Sequence, residues 1–234
     1  MKNKRIKLAG VLLGEGFVMA TILILLITKQ IDRLPLAIVT PLLLLLPMLM
    51  ERVCRCRISL PVYIFGLLYA IGPLLGQCWN FYYTISWWDK LLHFCGGVMF
   101  AIVGAYFFEL LTSKKENTSA KVAFALCFSV AVAAVWEFAE FGADIFLGMD
   151  MQDDMVITQL TSYLLGETIG VTGSISNIQS VTVNGVLLPV EGYIDIGLTD
   201  TMLDMMLESL GALIASILLF VDRGRHPLIC SKYE

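Results

Sequence analysis

Six apolar stretches dominate this chain and constrain its fold more than any other feature. They fall at about residues 8–28, 34–50, 60–78, 91–111, 121–142 and 202–221. A helix needs roughly 20 mostly apolar residues to cross the hydrocarbon core of a bilayer. In lipid, every backbone polar group must be paired within the protein, which leaves helices as the natural form for such stretches. The expected fold class is all-α, a polytopic membrane protein of about six transmembrane helices. The composition agrees: 58% of the 234 residues are hydrophobic and 15% are charged, whereas a soluble domain has about 25% charged residues. Pro35, Pro41 and Pro47 in the second stretch, and Pro61 and Pro73 in the third, predict bent helices.

The first stretch follows KNKRIK and resembles a signal peptide at first sight. Its apolar run is too long for that, and no A-x-A-like site follows, so it is expected to be an uncleaved first span. Positive charge sets the direction of threading. Lys2, Lys4, Arg5 and Lys7, then Arg52, Arg55 and Arg57, then Lys114, Lys115 and Lys121, then Arg223, Arg225 and Lys232 all fall on one side of a six-span chain. That is 13 of the 16 basic residues, and only Lys29, Arg33 and Lys90 lie opposite. Both termini are therefore expected in the cytoplasm.

The organisation expected is five spans over 1–142, an acidic extracytoplasmic insertion over 143–200, and the sixth span with a cytoplasmic tail over 201–234. The insertion has no Lys or Arg and eight acids, Asp144, Asp150, Asp153, Asp154, Glu167, Glu191, Asp195 and Asp200. Two acids at a helix start and apolar residues at helical spacing predict an amphipathic helix over 153–165, DDMVITQLTSYLL. SVTVNGVLLPV at 180–190 alternates around Asn-Gly and predicts a tight β-hairpin. WNFYYTISWW at 79–88 reads as an aromatic belt with a short interfacial helix, since Trp and Tyr favour the headgroup level. The six cysteines show no zinc-finger spacing. They read as structural thiols, with a Cys78–Cys95 disulfide left open.

Polar residues in the spans mark the candidate site. Asp89 and His93 are four apart, as are Asp200, Asp204 and Glu208, while Glu137, Glu140 and Asp144 are three and four apart. Such spacings put side chains on one helix face. The threading brings all of them to the same outer half of the bilayer, on the fourth, fifth and sixth spans. Small residues continue the stripes inward: Gly97, Ala101 and Ala105; Ala125, Ser129 and Ala133; Gly211, Ala212, Ala215 and Ser216. Small residues let membrane helices approach closely, so these three spans are expected to pack around an outward-facing pocket. An acid at mid-bilayer costs about 2.5–3.5 kcal/mol, and the protein can offset this by protonation, by pairing with Lys90, or by binding a divalent cation. The expected metal ligands are His93, Glu137, Asp204 and Glu208, for Zn, Mn, Fe, Mg or Ca. His93, Glu137 and Asp204 are the candidate catalytic residues, and Asp89, Glu140, Asp144 and Asp200 the supporting ones. Asp89, Asp144 and Asp200 read equally well as helix caps at the interface. Glu15, between Gly14 and Gly16, lies about 12 Å into the first span and stands apart as a relay or packing residue.

D-K-x-x-H-F at 89–94, W-E-F-x-E at 136–140 and D-T-M-x-D-M-x-x-E-S-L-G-A at 200–212 resemble the YjdF-like family of uncharacterised bacterial membrane proteins, and more loosely the VanZ-like proteins. The resemblance covers roughly residues 87–221. Membership of the YjdF-like family implies a bacterial cytoplasmic (inner) membrane protein, and the VanZ-like connection implies a role at the outer leaflet concerning envelope components. Three function classes stay open: an enzyme or binding protein for an outer-leaflet lipid or envelope component, a small proton-coupled transporter, and a non-catalytic scaffold. The bilayer is the expected partner. Nucleic acid is not, because the basic residues form short juxtamembrane clusters that orientation already explains.

Overall fold

The computed structural model describes residues 2–53, 56–112, 117–222 and 230–232. Its elements are α1 (Lys2–Thr28), a 3₁₀ turn (Ile31–Arg33), α2 (Leu34–Val53), β1 (Cys56–Ile58), α3 (Leu60–Cys78), α4 (Phe81–Thr84), α5 (Trp88–Leu111) and α6 (Thr118–Leu147). There follow β2 (Val156–Ile157), β3 (Gln159–Ser162), a second 3₁₀ turn (Tyr163–Leu165), β4 (Gly173–Ser176), β5 (Thr182–Val183), β6 (Val186–Leu187), β7 (Tyr193–Ile194), α7 (Leu198–Asp222) and β8 (Cys230–Lys232). Six of the helices are long and apolar enough to cross a membrane, at the six places the sequence predicts. Of the basic residues that set the expected orientation, Arg55, Lys114, Lys115, Arg223 and Arg225 lie outside the described residues, as does Cys54. The chain forms two compact units, Met1–Ala133 with Met205–Glu234, and Ala134–Asp204.

In the first unit, α1, α2 and α3 share a core of Val11, Val18, Leu25, Ala37, Leu44, Tyr63, Leu67 and Leu74. The first two helices expose leucines and isoleucines on their other faces, which is the pattern of a surface solvated by lipid rather than water. At one end of this group the Lys7 ammonium pairs with Glu51 at 2.6 Å, reaches the Ile58 carbonyl and lies 4.8 Å above the Tyr63 ring. Glu51 also accepts the Ile58 N–H, which ties the α2–α3 link to the start of α1. Here β1 pairs antiparallel with β8, a pairing the sequence does not announce. At the opposite end Trp79 stacks on Phe17 and its indole N–H donates to Thr21 Oγ1 at 3.2 Å. The aromatic belt thus includes the short helix α4, as expected, and part of it docks on α1. Cys78 and Cys95 are both free thiols, so no disulfide joins them.

α5 packs on α3 through the Trp88 indole N–H, which donates to the Gly72 carbonyl, and through Leu92, which occupies the space a side chain at Gly72 would need. It meets α6 where the Ser129 hydroxyl donates to the Gly97 carbonyl at 3.0 Å. α5 and α7 meet through their backbones. A Cβ on Gly97 would overlap the Glu208 carbonyl oxygen, and one on Gly211 would overlap the Phe94 carbonyl oxygen. The two helices therefore touch backbone to backbone at two reciprocal glycines, with Ala101, Ala212 and Ala215 buried beyond them. The small-residue stripes read from the sequence are this seam.

The second unit holds the insertion. The predicted hairpin is present: β5 pairs with β6, with Asn184 and Gly185 at φ 50° and 83°, the conformation an Asn-Gly turn of the primed type requires. The predicted amphipathic helix over 153–165 is absent. That segment instead forms β2, which pairs with β7, and β3, which pairs with β4, and ends in the Tyr163–Leu165 turn. The physical reason lies in VITQLTS. Its β-branched residues favour an extended chain, distant strands supply partners, and the Ser162 hydroxyl accepts the Leu164 N–H to end the strand. Aspartates secure the ends of this fold. Asp195 accepts the Met155 N–H at 3.0 Å and the Thr199 N–H at 2.9 Å, so one carboxylate caps α7 and pins the start of β2.

Two outcomes follow. Adding a methyl group at Gly97 or Gly211 must drive α5 and α7 apart, and overpacking of this kind costs about 1–3 kcal/mol. Gly97→Ala and Gly211→Ala should lower the unfolding midpoint in detergent, whereas Gly16→Ala, which meets open space, should not. Partial burial raises the Asp195 carboxyl, but the Thr199 side chain and the Met155, Thr199 and Gly197 amides outweigh it and hold it below the ordinary aspartate range. Its contribution is therefore complete above that ordinary range and fades as pH falls through the lowered native value. Asp195→Ala should cost about 1 kcal/mol as a lost cap, read as faster hydrogen exchange at Met155 and Thr199, and strong acid should produce the same change in the wild type.

Candidate functional site

The candidate site in the first unit is built where α5 and α7 cross. The glycine seam sets the distance: with Gly97 against the Glu208 carbonyl, the Glu208 side chain reaches the first turns of α5. His93 and Glu208 are both buried. His93 Nδ1 lies 3.7 Å from Glu208 Oε2, and His93 Nε2 lies 3.7 Å from Asp89 Oδ1. The second oxygen of Asp89 takes the Lys90 ammonium at 3.0 Å. A buried imidazole thus has a carboxylate beside each ring nitrogen, and one of those carboxylates is half-neutralised by a lysine. A neutral imidazole carries one N–H and one lone pair. It can therefore donate to one carboxylate and offer its other nitrogen, with the other carboxylate, to a proton or a metal ion.

The remaining acids divide by element. Asp204 and Asp200 stand one and two turns before Glu208 on α7 and are buried. Asp200 accepts the Asp153 N–H at 3.1 Å, and Thr201 beside it accepts from the Gln152 side-chain amide. Asp144 accepts two backbone amides, from Met151 at 2.6 Å and Gln152 at 2.9 Å. Asp144 and Asp200 therefore hold the two roots of the insertion, while the carboxylate that caps α7 is Asp195. Glu140 accepts the Trp136 indole N–H at 2.7 Å, so the W-E-F-x-E motif contains an internal pair one helical turn apart. Glu137 is buried on the same helix. The structure thus brings together Asp89, His93 and Glu208 in the first unit, while Asp144, Glu140 and Asp200 have local partners in the second.

Glu15 lies on α1, within the α1–α3 group. Its neighbour Gly14 packs against Leu44 and Ile71, and one of its own carboxylate oxygens is buried with no hydrogen bond among the described residues. Tyr69 of α3 is the residue that sequence reading passes over. Its hydroxyl lies 2.9 Å from the point where a Cβ on Gly96 would stand, and Glu208 Oε1 lies 3.6 Å from that same point. Nothing in the pattern of α3 separates Tyr69 from an ordinary membrane tyrosine; only the crossing of three helices at Gly96 does.

Comparison with known proteins gives a family and no activity. The chain is similar to an uncharacterised protein of Thermotoga maritima, 35% identical over 77 residues, which covers 32% of this chain and 38% of that protein. No solved structure matches. A family model described as a predicted membrane protein, DUF2238, matches residues 11–225, nearly the whole chain. This chain, with its six apolar helices and its buried histidine between two carboxylates, belongs to that family of predicted membrane proteins.

Proposed function

We propose that the His93 cluster is a divalent-metal site and that the protein acts on an outer-leaflet lipid or envelope component from the bacterial cytoplasmic membrane. The observation that carries this reading is the flanking of one buried imidazole by Asp89 and Glu208, each 3.7 Å from a different ring nitrogen. Those separations exceed a hydrogen bond, and on the Nε2 side they approach the roughly 3.4 Å between two ligands of one tetrahedral ion with 2.0–2.2 Å bonds. In this reading Nε2 and Asp89 face the ion, and Nδ1–H points to Glu208, which fixes the tautomer as an outer carboxylate does for many metal-bound histidines. Asp204, one turn before Glu208 on α7, is proposed as a further ligand from its helical spacing. Glu137 is assigned to ligation or proton transfer.

The donor set, one imidazole with carboxylates, suits Zn, Mn or Mg. At such a site a bound water becomes nucleophilic near neutral pH, which fits hydrolysis or transfer of a group presented at the membrane surface. The positive-inside distribution supports an outward-facing pocket, and the looser resemblance to VanZ-like proteins points to the same leaflet. Proton coupling through the same acids is the competing use of such a cluster, and metal content separates the two.

Protein purified in detergent without chelators should carry about one equivalent of divalent metal by elemental analysis. His93→Ala should abolish it, and Asp204→Asn and Glu137→Gln should reduce it, with the fold intact by circular dichroism. Wild-type protein that takes up no metal after soaking in zinc and manganese would remove this reading in favour of proton handling.

A further inference from the structure

We infer that Tyr69 is a positioning residue for Glu208: its hydroxyl faces Glu208 Oε1 across Gly96, and a side-chain rotation brings the two into a hydrogen bond that steadies the carboxylate beside His93. The inference rests on the proposed metal site for its consequence, but not for the contact itself.

Three helices meet at Gly96. The residue lies on α5, immediately before Gly97 of the glycine seam. Its missing side chain leaves a gap, into which α3 directs the Tyr69 hydroxyl and α7 directs Glu208 Oε1, 2.9 Å and 3.6 Å from one point. Tyr69 is fixed from behind, since its ring meets Phe100 edge to face with centroids 6.2 Å apart. The ring therefore has a defined direction, and its hydroxyl is the only group it presents to the gap.

The chemistry of the pair is complementary. A phenol O–H is a donor, and an ionised carboxylate only accepts. Glu208 is buried at 4% exposure, and it turns Oε2 toward His93 Nδ1. Its other oxygen then needs a donor within the protein, because a buried carboxylate left half-satisfied is costly. Tyr69 is the group standing across the gap. A side-chain rotation closes the contact, and Gly96 is what makes room for it. The result is a line of groups running from α3 to α5: Tyr69 to Glu208, Glu208 to His93 Nδ1, and His93 Nε2 to the ion-facing side with Asp89.

A group that positions a ligand through another residue should tune affinity without supplying a ligand. Outer partners of this kind change metal affinity by about 10–100-fold when removed. Tyr69→Phe keeps the ring and its contact with Phe100 and deletes only the donor. Gly96→Ala leaves Tyr69 in place but sets a methyl group 2.9 Å from its oxygen, which displaces it.

The test uses the full chain in detergent and two readouts. The first is the Glu208 carboxylate stretch in the infrared, identified by its loss in Glu208→Gln. The second is the affinity for zinc and for manganese, each titrated alone. Tyr69→Phe and Gly96→Ala should both shift the carboxylate band, and both should lower metal affinity about 10–100-fold with the stoichiometry unchanged. A carboxylate band that stays in place in both variants overturns the inference, as does wild-type metal affinity in both. Wild-type protein that binds no metal, with the band still shifted in the variants, sinks the metal reading and leaves the Tyr69–Glu208 contact standing. If Tyr69→Phe does not fold, Gly96→Ala carries the same two readouts alone.

Discussion

Backbone contact between α5 and α7 is the constraint on which the site depends. Gly97 admits the Glu208 carbonyl and Gly211 admits the Phe94 carbonyl, with no room for a methyl group at either. Packing of this kind is one of the few forces that hold helices together in lipid, where apolar side chains gain little by leaving the solvent. Its consequence is positional. A helix pair this close cannot keep long side chains along the seam, so the polar groups gather at one end of it. There His93 and Glu208 face each other from opposite helices, with Asp89 one turn above His93 on α5. The Ser129 hydroxyl, donating to the Gly97 carbonyl, brings α6 to the same seam.

Two kinds of acid then stand out in this chain. Those in the insertion and at its roots work on backbone amides. Asp144, Asp195 and Asp200 between them accept five amides from residues 151–155 and 199. Charge-assisted bonds of this type are strong, and a segment lacking any Lys or Arg has few other ways to anchor acids. Those in the membrane helices, Glu208 and Asp89, lie instead against a histidine and a lysine. The same residue type is thus a structural clamp in one setting and part of a chemical cluster in the other. What separates them is whether unpaired amides are at hand. Within a helix the amides are already used, so an acid there must find another side chain, a proton or an ion.

This division explains what the sequence could and could not reveal. Hydropathy located all six helices, because the length of a span is a local property. The Asn184-Gly185 turn was legible for the same reason, since its φ values are a demand on two residues alone. The glycine and alanine stripes were legible as periodicity, and with them the crossing that joins His93 to Glu208. Residues 153–165 were not. Their apolar spacing suits a helix, but β2 and β3 form because partners at 193–194 and 173–176 are present, and a single segment does not record its distant partners. The β1–β8 pairing escaped notice in the same way. Tyr69 was invisible because its significance comes from a gap in another helix, not from its neighbours in α3.

That contrast bears on how the cluster is read. Asp89 and His93 open a span at a place where interfacial caps are common, and Asp89 alone would be explained as one. Glu208 is different. It lies nearly three turns inside α7, past Asp200 and Asp204, where capping has no further use and burial penalises charge. The chain nevertheless sets it opposite His93, and does so through a seam that tolerates no larger residue at two positions. A merely soluble cap would not require that precision, since any polar residue near the headgroups would serve. The glycines hold a carboxylate at a defined place against an imidazole, and a defined donor geometry is what binding an ion or passing a proton demands.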